Sequence, residues 1–210
     1  MFMPHVRRLA PTATEARLQL LIEERVKPGA DKTAIDRRIW DLFGERWAVM
    51  FIDLCGFSRQ VADFGIIHFL QTIHESLRLL TPCLERHDGI LLKVEADSLL
   101  VIFRRPEQAL RCAMDMQETL KKYNSTIADN EQILLGVGLG YGEVIRLGDA
   151  DVFGSEVNAA SKLGEDTAQA GEILSTEAVR SALTDISTLN WHRISETPAG
   201  TTAAWKVTTK

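Results

Sequence analysis

The chain contains Trp47-Ala48-Val49-Met50-Phe51-Ile52-Asp53-Leu54-Cys55-Gly56, an apolar run that ends at an acid and a short turn. The run is too short for a buried helix, and Gly56 marks the turn that closes it. We therefore predict a strand over residues 47–53, with the carboxylate of Asp53 at one edge of a sheet.

A second acid, Asp97, has similar surroundings. It follows the stretch from Gly89 to Ala96 and precedes the apolar run from Leu99 to Phe103. If these two strands form a hairpin, or lie beside the strand of Asp53, the two acids converge at one edge of the sheet. Two carboxylates so placed are able to hold a pair of magnesium ions, which is a geometry used for phosphoryl transfer.

Length and composition exclude several classes of protein. The 210 residues fit one domain with an extension better than two full domains. Hydrophobic residues make up 45% and charged residues 25%, as in ordinary globular proteins, and no apolar run is long enough to span a bilayer. The net charge of -5 and the lack of a long Lys/Arg tract argue against nucleic acid as a partner.

The start of the chain and its cysteines predict the compartment. Residues 1–8 lack the order of a secretory signal, so we expect a cytoplasmic protein with no membrane partner. Cys55, Cys83 and Cys112 are odd in number and lack metal-ligand spacing, which predicts reduced thiols.

Residues 1–45 differ from the rest and predict a helical extension, with residues 46–210 as the main domain. A helix is expected from Glu15 to Val26, where Pro28 and Gly29 stop it. A second helix follows, with Asp31 as its N-cap and Gly44 at its end. Such a pair could be a lid on its own domain, a dimerisation element or a regulatory element, and the sequence leaves these open.

From Trp47 onward strands and helices alternate. We predict strands near residues 47–53, 90–96, 99–104, 133–140, 143–147, 172–175, 188–195 and 203–208, and helices near 58–86, 106–123, 154–167 and 177–183. Pro82 is expected to bend or end part of the first of these helices. This order predicts an α+β fold of the ferredoxin-like, split βαβ kind, with a mainly antiparallel sheet and helices packed on it, rather than a doubly wound parallel sheet.

Three separated motifs resemble one family. They are Phe51-Ile52-Asp53-Leu54-Cys55-Gly56-Phe57-Ser58, Lys93-Val94-Glu95-Ala96-Asp97 and Asp151-Val152-Phe153-Gly154-Ser155-Glu156-Val157-Asn158-Ala159-Ala160-Ser161-Lys162-Leu163. In order and spacing they resemble the catalytic domain of class III nucleotide cyclases, over roughly residues 47–180. Three motifs in register are far more specific than any one of them.

The resemblance implies a role for each matching residue near Asp53. Asp53 and Asp97 look like the two metal-binding aspartates, with a backbone group of Leu54 as a further ligand. Gly56 and Phe57, in the turn after Asp53, would lie against the triphosphate, where free N–H groups at a helix start favour anions. The implied cofactors are two Mg2+ or Mn2+ ions per active site.

The remaining matching residues resemble the half of the site that binds the nucleoside. Lys93 and Asp151 look like the pair that reads adenine, with Asp149 as a competing acid whose spacing to Gly154 fits less well. Asn158 resembles the residue that positions the ribose. Lys162 stands where the family usually has an arginine on the α-phosphate.

The resemblance implies an adenylate cyclase that converts ATP to 3',5'-cyclic AMP and pyrophosphate. The family builds its sites from two subunits, so a homodimer with shared active sites is implied. Alternatives are a cyclase with another base preference, for GTP or a pyrimidine triphosphate, and a cyclase-like dimer that binds nucleotide without turnover.

Departures from the family pattern keep those alternatives open. Ala96 replaces a usual glycine, and Lys162 lacks the planar fork of arginine. The C-terminal stretch from Ser195 to Lys206 lacks a Lys-Gly turn that often supplies a lysine for the triphosphate. Candidate replacements are Arg104, Arg105, Arg146 and Lys206.

Overall fold

The structure, a computed structural model, describes residues 12–56, 64–184 and 187–210. The helices are α1 (Ala13–Arg25), α2 (Lys32–Phe43), α3 (Ile66–Arg86), α4 (Pro106–Asn124), α5 (Ser155–Ser161) and α6 (Glu177–Ala182). The strands are β1 (Gly44–Leu54), β2 (Ile90–Glu95), β3 (Ser98–Phe103), β4 (Leu135–Leu147), β5 (Asp151–Phe153), β6 (Ile173–Thr176), β7 (Leu189–Arg193) and β8 (Ala204–Thr209). A π-helical turn, Lys162–Thr167, extends α5, and a short 3-10 turn, Asp129–Glu131, precedes β4.

The strands form an eight-stranded sheet in the order β2-β3-β1-β4-β6-β8-β7, with β5 paired to β4. β3 lies antiparallel between β1 and β2, so β1, α3 and β2 make a split βαβ unit. β4 and β6 are parallel, and the other pairs are antiparallel. The predicted α+β class and the mainly antiparallel sheet are confirmed.

The prediction of two strands with a turn between residues 140 and 143 is wrong. β4 runs through this region as one strand of 13 residues. Its register against β1 is continuous, from Gly44 opposite Ile145 to Leu54 opposite Leu135, so Gly140 and Gly142 lie inside the ladder. The hairpin is formed instead by β4 and β5, where Leu147 pairs with Asp151.

The glycines of β4 serve helix packing rather than a turn. A Cβ on Gly138 would lie 2.1 Å from the carbonyl oxygen of Ala160, and one on Gly140 would lie 2.3 Å from that of Glu156. Residues two apart share one face of a strand, so these glycines let the backbone of α5 rest on β4. The sheet therefore fixes the helix that carries Asn158 and Lys162.

The predicted helix over residues 58–86 is confirmed from Ile66 onward, and its predicted start at Ser58 lies outside the described residues. The helix does not end at Pro82 but continues to Arg86. Cys83 and Leu84 are buried against the sheet, and this burial holds the last turn in place despite the hydrogen bond that proline cannot make.

The N-terminal helices pack on the far end of β4. Thr12 and Glu15 form a capping box on α1, and Asp31 caps α2 as predicted. Buried Leu21, Ile35, Ile39 and Phe43 contact Ile145 and Leu147 of β4. In the described parts of the chain, no helix combines the length and the apolar character needed to cross a membrane. The division at residue 45 into extension and main domain stays a prediction.

Candidate active site

Asp53 and Asp97 converge, as the sequence predicts. Asp53 lies opposite Ser98 in the ladder between β1 and β3, and Asp97 is the residue just before Ser98. The main-chain nitrogen of Leu54 donates to the carbonyl oxygen of Asp97 at 3.2 Å. The hydroxyl of Ser98 donates to Oδ1 of Asp53 at 3.1 Å. The end of β1 and the β2–β3 turn thus form one acidic corner.

The acidic corner disfavours the ionised form of Asp53. The pKa of Asp53 is raised to about 6, chiefly by burial and also by the nearby carboxylates of Asp97, Glu165 and Asp166, while the hydrogen bond from Ser98 opposes the rise. A cation between Asp53 and Asp97 would offset both the cost of burying a charged carboxylate and the repulsion between the carboxylates.

The donor set at this corner suits magnesium or manganese. Within residues 12–56, 64–184 and 187–210, no three His, Cys, Asp or Glu side chains make a complete metal site. Magnesium usually takes one or two carboxylates and completes its octahedron with water and substrate phosphates. The two carboxylates of Asp53 and Asp97 match that pattern, and a backbone oxygen of Leu54 stays a predicted further ligand. Phe57 lies outside the described residues, and Gly56 has φ +88°, which glycine adopts without strain.

The β2–β3 turn carries backbone strain. Ala96 has φ +53°, in the left-handed region that favours glycine. A methyl group there costs about 1 kcal/mol relative to an unstrained position. The turn that presents Asp97 keeps this conformation because the β2–β3 ladder and the bond from Leu54 hold it on both sides.

Lys93 and Asp151 form an ion pair. The Lys93 ammonium donates to Oδ2 of Asp151, and both side chains are mostly covered, with 31% and 24% of their surfaces exposed. Oδ1 of Asp151 also accepts the main-chain N–H of Val152 at 2.9 Å. The competing acid, Asp149, has 89% of its side chain exposed and contacts Arg146 instead. The structure thus brings Asp151, rather than Asp149, to Lys93.

Asn158 lies in the same cavity as this pair. The cavity has a volume of about 220 Å³ and is lined by Lys93, Asp151, Asn158 and Glu165, with apolar walls that include Phe51 and Phe153. Lys93 of one motif and Asp151 and Asn158 of another therefore face one space that is large enough to receive part of a ligand.

Lys162 is engaged within its own turn. Its ammonium donates to Oδ2 of Asp166 at 2.7 Å, and 49% of the side chain is exposed. The hydrogen bond from Lys162 to Asp166 raises the pKa of the ammonium, so Lys162 is a cation at neutral pH.

The four candidate replacements for a triphosphate lysine already have protein partners. Arg104 and Arg146 lie over the ring of Trp47, at 3.8 and 4.8 Å from its centroid. Arg105 Nε donates to Gln108 at 3.4 Å, and Lys206 pairs with Glu172 at 2.6 Å. None of these four contacts the acidic corner or the cavity in this chain.

Sequence reasoning missed three groups in the site. The hydroxyl of Ser98 binds Asp53, which only the strand register reveals. Glu165 and Asp166 lie close enough to Asp53 to raise its pKa. Their positions three and four residues after Lys162 put them on the same face of a helix as that lysine, and this spacing could have identified them.

A family comparison agrees with this geometry. The profile of the adenylate and guanylate cyclase catalytic domain matches residues 44–200. The chain belongs to this family. It therefore carries a class III nucleotide cyclase domain, the fold of a lyase that forms cyclic nucleotides, and such domains generally use divalent metals.

Two curated relatives match the cyclase domain over part of their length. Serine/threonine-protein kinase pkn2 of Myxococcus xanthus is 33% identical over 134 residues, or 64% of this chain and 16% of that protein. Putative adenylate cyclase 3 of Rhizobium meliloti (strain 1021) is 29% identical over 117 residues, or 55% of this chain and 20% of that protein. The matched region thus spans a fifth or less of these relatives.

Solved structures share the fold of this cyclase domain. An adenylate/guanylate cyclase/hydrolase from Silicibacter pomeroyi has a TM-score of 0.67 at 22% identity, covering 80% of this chain and 99% of that one. A bacterial light-regulated adenylyl cyclase has a TM-score of 0.67 at 20% identity, covering 93% and 64%. The guanylate cyclase domain of RhGC from Catenaria anguillulae, in complex with GTP, has a TM-score of 0.65 at 19% identity, covering 79% and 97%. Adenylyl and guanylyl cyclases share this fold, so the fold does not decide the base.

Proposed function

We propose that the protein is an adenylate cyclase, which converts ATP to 3',5'-cyclic AMP and pyrophosphate in a homodimeric site. The observation that carries the proposal is the ion pair between Lys93 and Asp151 in the cavity that Asn158 also lines. Among the described residues, the other Lys–Asp ion pair, Lys162–Asp166, is about half exposed.

The pair matches the edge of adenine. Adenine carries an acceptor at N1 and a donor amine at position 6, whereas guanine carries a donor at N1 and an acceptor oxygen at position 6. The Lys93 ammonium donates only, and the Asp151 carboxylate accepts only. With the Lys93 ammonium donating to N1 and the Asp151 carboxylate accepting from the amine, both polar groups on this edge of adenine form hydrogen bonds. Guanine in the same pose would leave both pairs mismatched.

The rest of the site would act on the sugar and the phosphates. The amide of Asn158 would orient the ribose so that its 3'-hydroxyl lies in line with the α-phosphorus. The 3'-oxygen would give up its proton to water and bond to the α-phosphorus, while the bond from that phosphorus to the oxygen bridging the α- and β-phosphates breaks. Pyrophosphate would leave with the bridging oxygen. The Lys162 ammonium, once released from Asp166, would neutralise charge that builds on the α-phosphate.

Asp53, Asp97 and the backbone oxygen of Leu54 would hold two divalent cations. Bound Mg2+ or Mn2+ supplies charge neutralisation on the triphosphate and lowers the pKa of the 3'-hydroxyl. The Asp53 carboxylate, whose pKa of about 6 reflects burial and its acidic neighbours, would become fully ionised beside such a cation. Gly56 and Phe57 would contribute backbone N–H groups to the triphosphate.

A homodimer follows from the family resemblance, in which the metal half and the nucleoside half of each site come from different subunits. Phe153, at the rim of the cavity, leaves 49% of its surface exposed. A large apolar side chain beside a polar cavity suits contact with a second subunit.

The proposal is tested with purified protein, Mn2+ or Mg2+, and a panel of ATP, GTP, CTP and UTP, with each product identified by mass spectrometry. We expect kcat/KM for ATP to exceed that for GTP by about 10-fold or more, since one correct pair of contacts to a base contributes about 1–3 kcal/mol. A higher value for GTP or a pyrimidine triphosphate would overturn the assignment of ATP. Nucleotide binding without any cyclic product would favour the non-catalytic reading.

A further inference from the structure

Arg146, which belongs to none of the family motifs, fastens the turn between β4 and β5. Its Nε donates to the carbonyl oxygen of Gly148 at 2.8 Å, and its Nη2 donates to Oδ1 of Asp149 at 3.2 Å. The turn is closed by the N–H of Ala150, which donates to the carbonyl oxygen of Leu147 at 2.9 Å. One guanidinium thus holds both residues at the tip of the hairpin.

The same guanidinium is anchored to the sheet. Arg146 lies 4.8 Å from the centroid of the Trp47 ring and 3.8 Å from Oε2 of Glu45, and only 15% of its side chain is exposed. Trp47 is buried and donates from Nε1 to the same Glu45 oxygen at 2.9 Å. A planar guanidinium is able to stack on an aromatic ring while its N–H groups form a fork at the rim, which an ammonium cannot do. Arg146 therefore connects a buried point on β1 to the tip of the β4–β5 hairpin.

The hairpin tip leads directly into the residue that we assign to the base. Asp151 is two residues after Asp149 and opens β5. Its neighbour Val152 is buried in a cluster with Trp47, Val49 and Ile102, so β5 packs into the same apolar cluster as the Trp47 ring over which Arg146 lies. The backbone of Asp151 pairs with Leu147 in the β4–β5 ladder, and Arg146 holds Gly148 and Asp149 in the turn that precedes it.

We propose that Arg146 is a positioning residue that sets the place of Asp151 against the base and thereby sets base selectivity. The inference rests on the proposed function, because selectivity for ATP depends on the pairing of Asp151 with Lys93. Loosening the hairpin would let the carboxylate shift, and a shift of about 1 Å costs up to about 100-fold in a positioned contact.

The test compares three variants of the full chain. In Arg146→Gln we expect the ratio of kcat/KM for ATP to that for GTP to fall by about 10-fold, mainly through a higher KM for ATP. Arg146→Lys keeps the charge near Glu45 but loses the fork, so its ratio is expected between those of wild type and Arg146→Gln. Arg46→Gln is the matched control, since Arg46 lies on β1 with 62% of its side chain exposed and a distant 3.9 Å contact to Glu143. Its ratio is expected to equal that of wild type.

A double variant separates positioning from general damage. In an Asp151→Asn background, Arg146→Gln should change the ATP-to-GTP ratio by less than about 2-fold, because the residue through which it acts is already lost. Equal losses for ATP and GTP in Arg146→Gln, or an undiminished effect in the Asp151→Asn background, would overturn the inference and leave Arg146 a purely structural residue.

Hydrogen exchange tests the inference without turnover. In the nucleotide-free protein, amides of residues 147–153 should exchange about 10-fold faster in Arg146→Gln than in wild type or Arg46→Gln, while amides of α4 stay unchanged. Unchanged exchange at residues 147–153 would overturn the inference even if activity fell. If wild type forms no cyclic product from any triphosphate, the proposed function fails, and equilibrium binding of ATP and GTP to the same variants then decides the selectivity.

Discussion

The main-chain nitrogen of Leu54 donates to the carbonyl oxygen of Asp97 at 3.2 Å, so the end of β1 and the β2–β3 turn are joined through their backbones. The side chains of Asp53 and Asp97 take no part in this bond. Each carboxylate is therefore replaceable without loss of the contact that brings the two positions together. This separation makes the electrostatics of the acidic corner accessible to experiment.

Asp53→Asn should change the pH dependence of stability. The pKa of Asp53 is raised from 3.8 to about 6. Protonated Asp53 therefore contributes to the stability of the folded state below about pH 4, and this contribution is lost as pH rises through 6. We expect the variant to gain stability relative to wild type between pH 4 and 7, by about 1 kcal/mol after allowance for partial exposure. Urea unfolding at several pH values measures the difference.

Asp36→Asn provides a control of opposite sign. The hydrogen bond from Arg25 lowers the pKa of Asp36, on the exposed side of the N-terminal helices. Wild type should therefore be the more stable of the two at neutral pH, and the difference should vanish as pH falls through the pKa of Asp36. For Asp53, a difference in the free energy of unfolding between wild type and Asp53→Asn that stays constant from about pH 4 to 7 would contradict the burial of Asp53.

Gly138→Ala should destabilise the protein strongly. The new Cβ would lie 2.1 Å from the carbonyl oxygen of Ala160 and 2.4 Å from the nitrogen of Gly164, and neither backbone atom is free to move alone. We expect a loss of about 3 kcal/mol in the free energy of unfolding, together with loss of cyclase activity as α5 is displaced. Gly29→Ala, at φ +77° with open space around it, should cost only about 1 kcal/mol. Equal losses would show that α5 does not rest on β4 as described.

Sequence reasoning succeeded at the strand ends and failed within β4. Asp53 and Asp97 were predictable because a short apolar run followed by a turn specifies a strand end without any tertiary information. The predicted break between the strands at residues 133–140 and 143–147 is wrong because glycine also marks close packing, and the sequence does not state which helix approaches. The continuous β4 strand follows only from its pairing with β1.

In the candidate site, too, some features were predictable from the sequence and others were not. Lys93 and Asp151 were identified through their place in a family motif, since 58 positions separate them and no local rule connects them. The strain at Ala96 depends on a backbone angle that the residue type alone does not fix. Asp166, in contrast, was available from the sequence, because a carboxylate four residues after a lysine on a helix is a common partner.

Lys162 and Asp166 provide a test of transition-state charge. Lys162→Ala should lower kcat by about 100-fold with little change in KM, if the ammonium acts mainly on charge that develops during the reaction. Lys162→Arg should retain or increase kcat, because arginine is able to grip two phosphate oxygens. Asp166→Asn should raise activity by about 2-fold, because it removes the partner that competes with phosphate for the ammonium.

Lys122 supplies the control for Lys162. It forms an exposed pair of the same spacing with Glu118 on α4, at 3.2 Å. Lys122→Ala should leave both kcat and KM within about 2-fold of wild type. A rise in KM alone in Lys162→Ala would place that lysine in substrate binding rather than in stabilisation of the transition state.

Mixing inactive variants tests whether the active site is shared. Asp53→Ala removes the metal half of a site and Lys93→Ala removes the nucleoside half, so each homodimer should be inactive. In a heterodimer one of the two sites combines the intact halves. Random pairing makes about half of the dimers mixed, with one working site each, so co-refolded protein should regain about a quarter of wild-type activity. A mixture of Asp53→Ala with Asp97→Ala damages the same half twice and should stay inactive. If the first mixture also stays inactive while native mass spectrometry shows mixed dimers, each chain builds its own site and the shared arrangement is wrong.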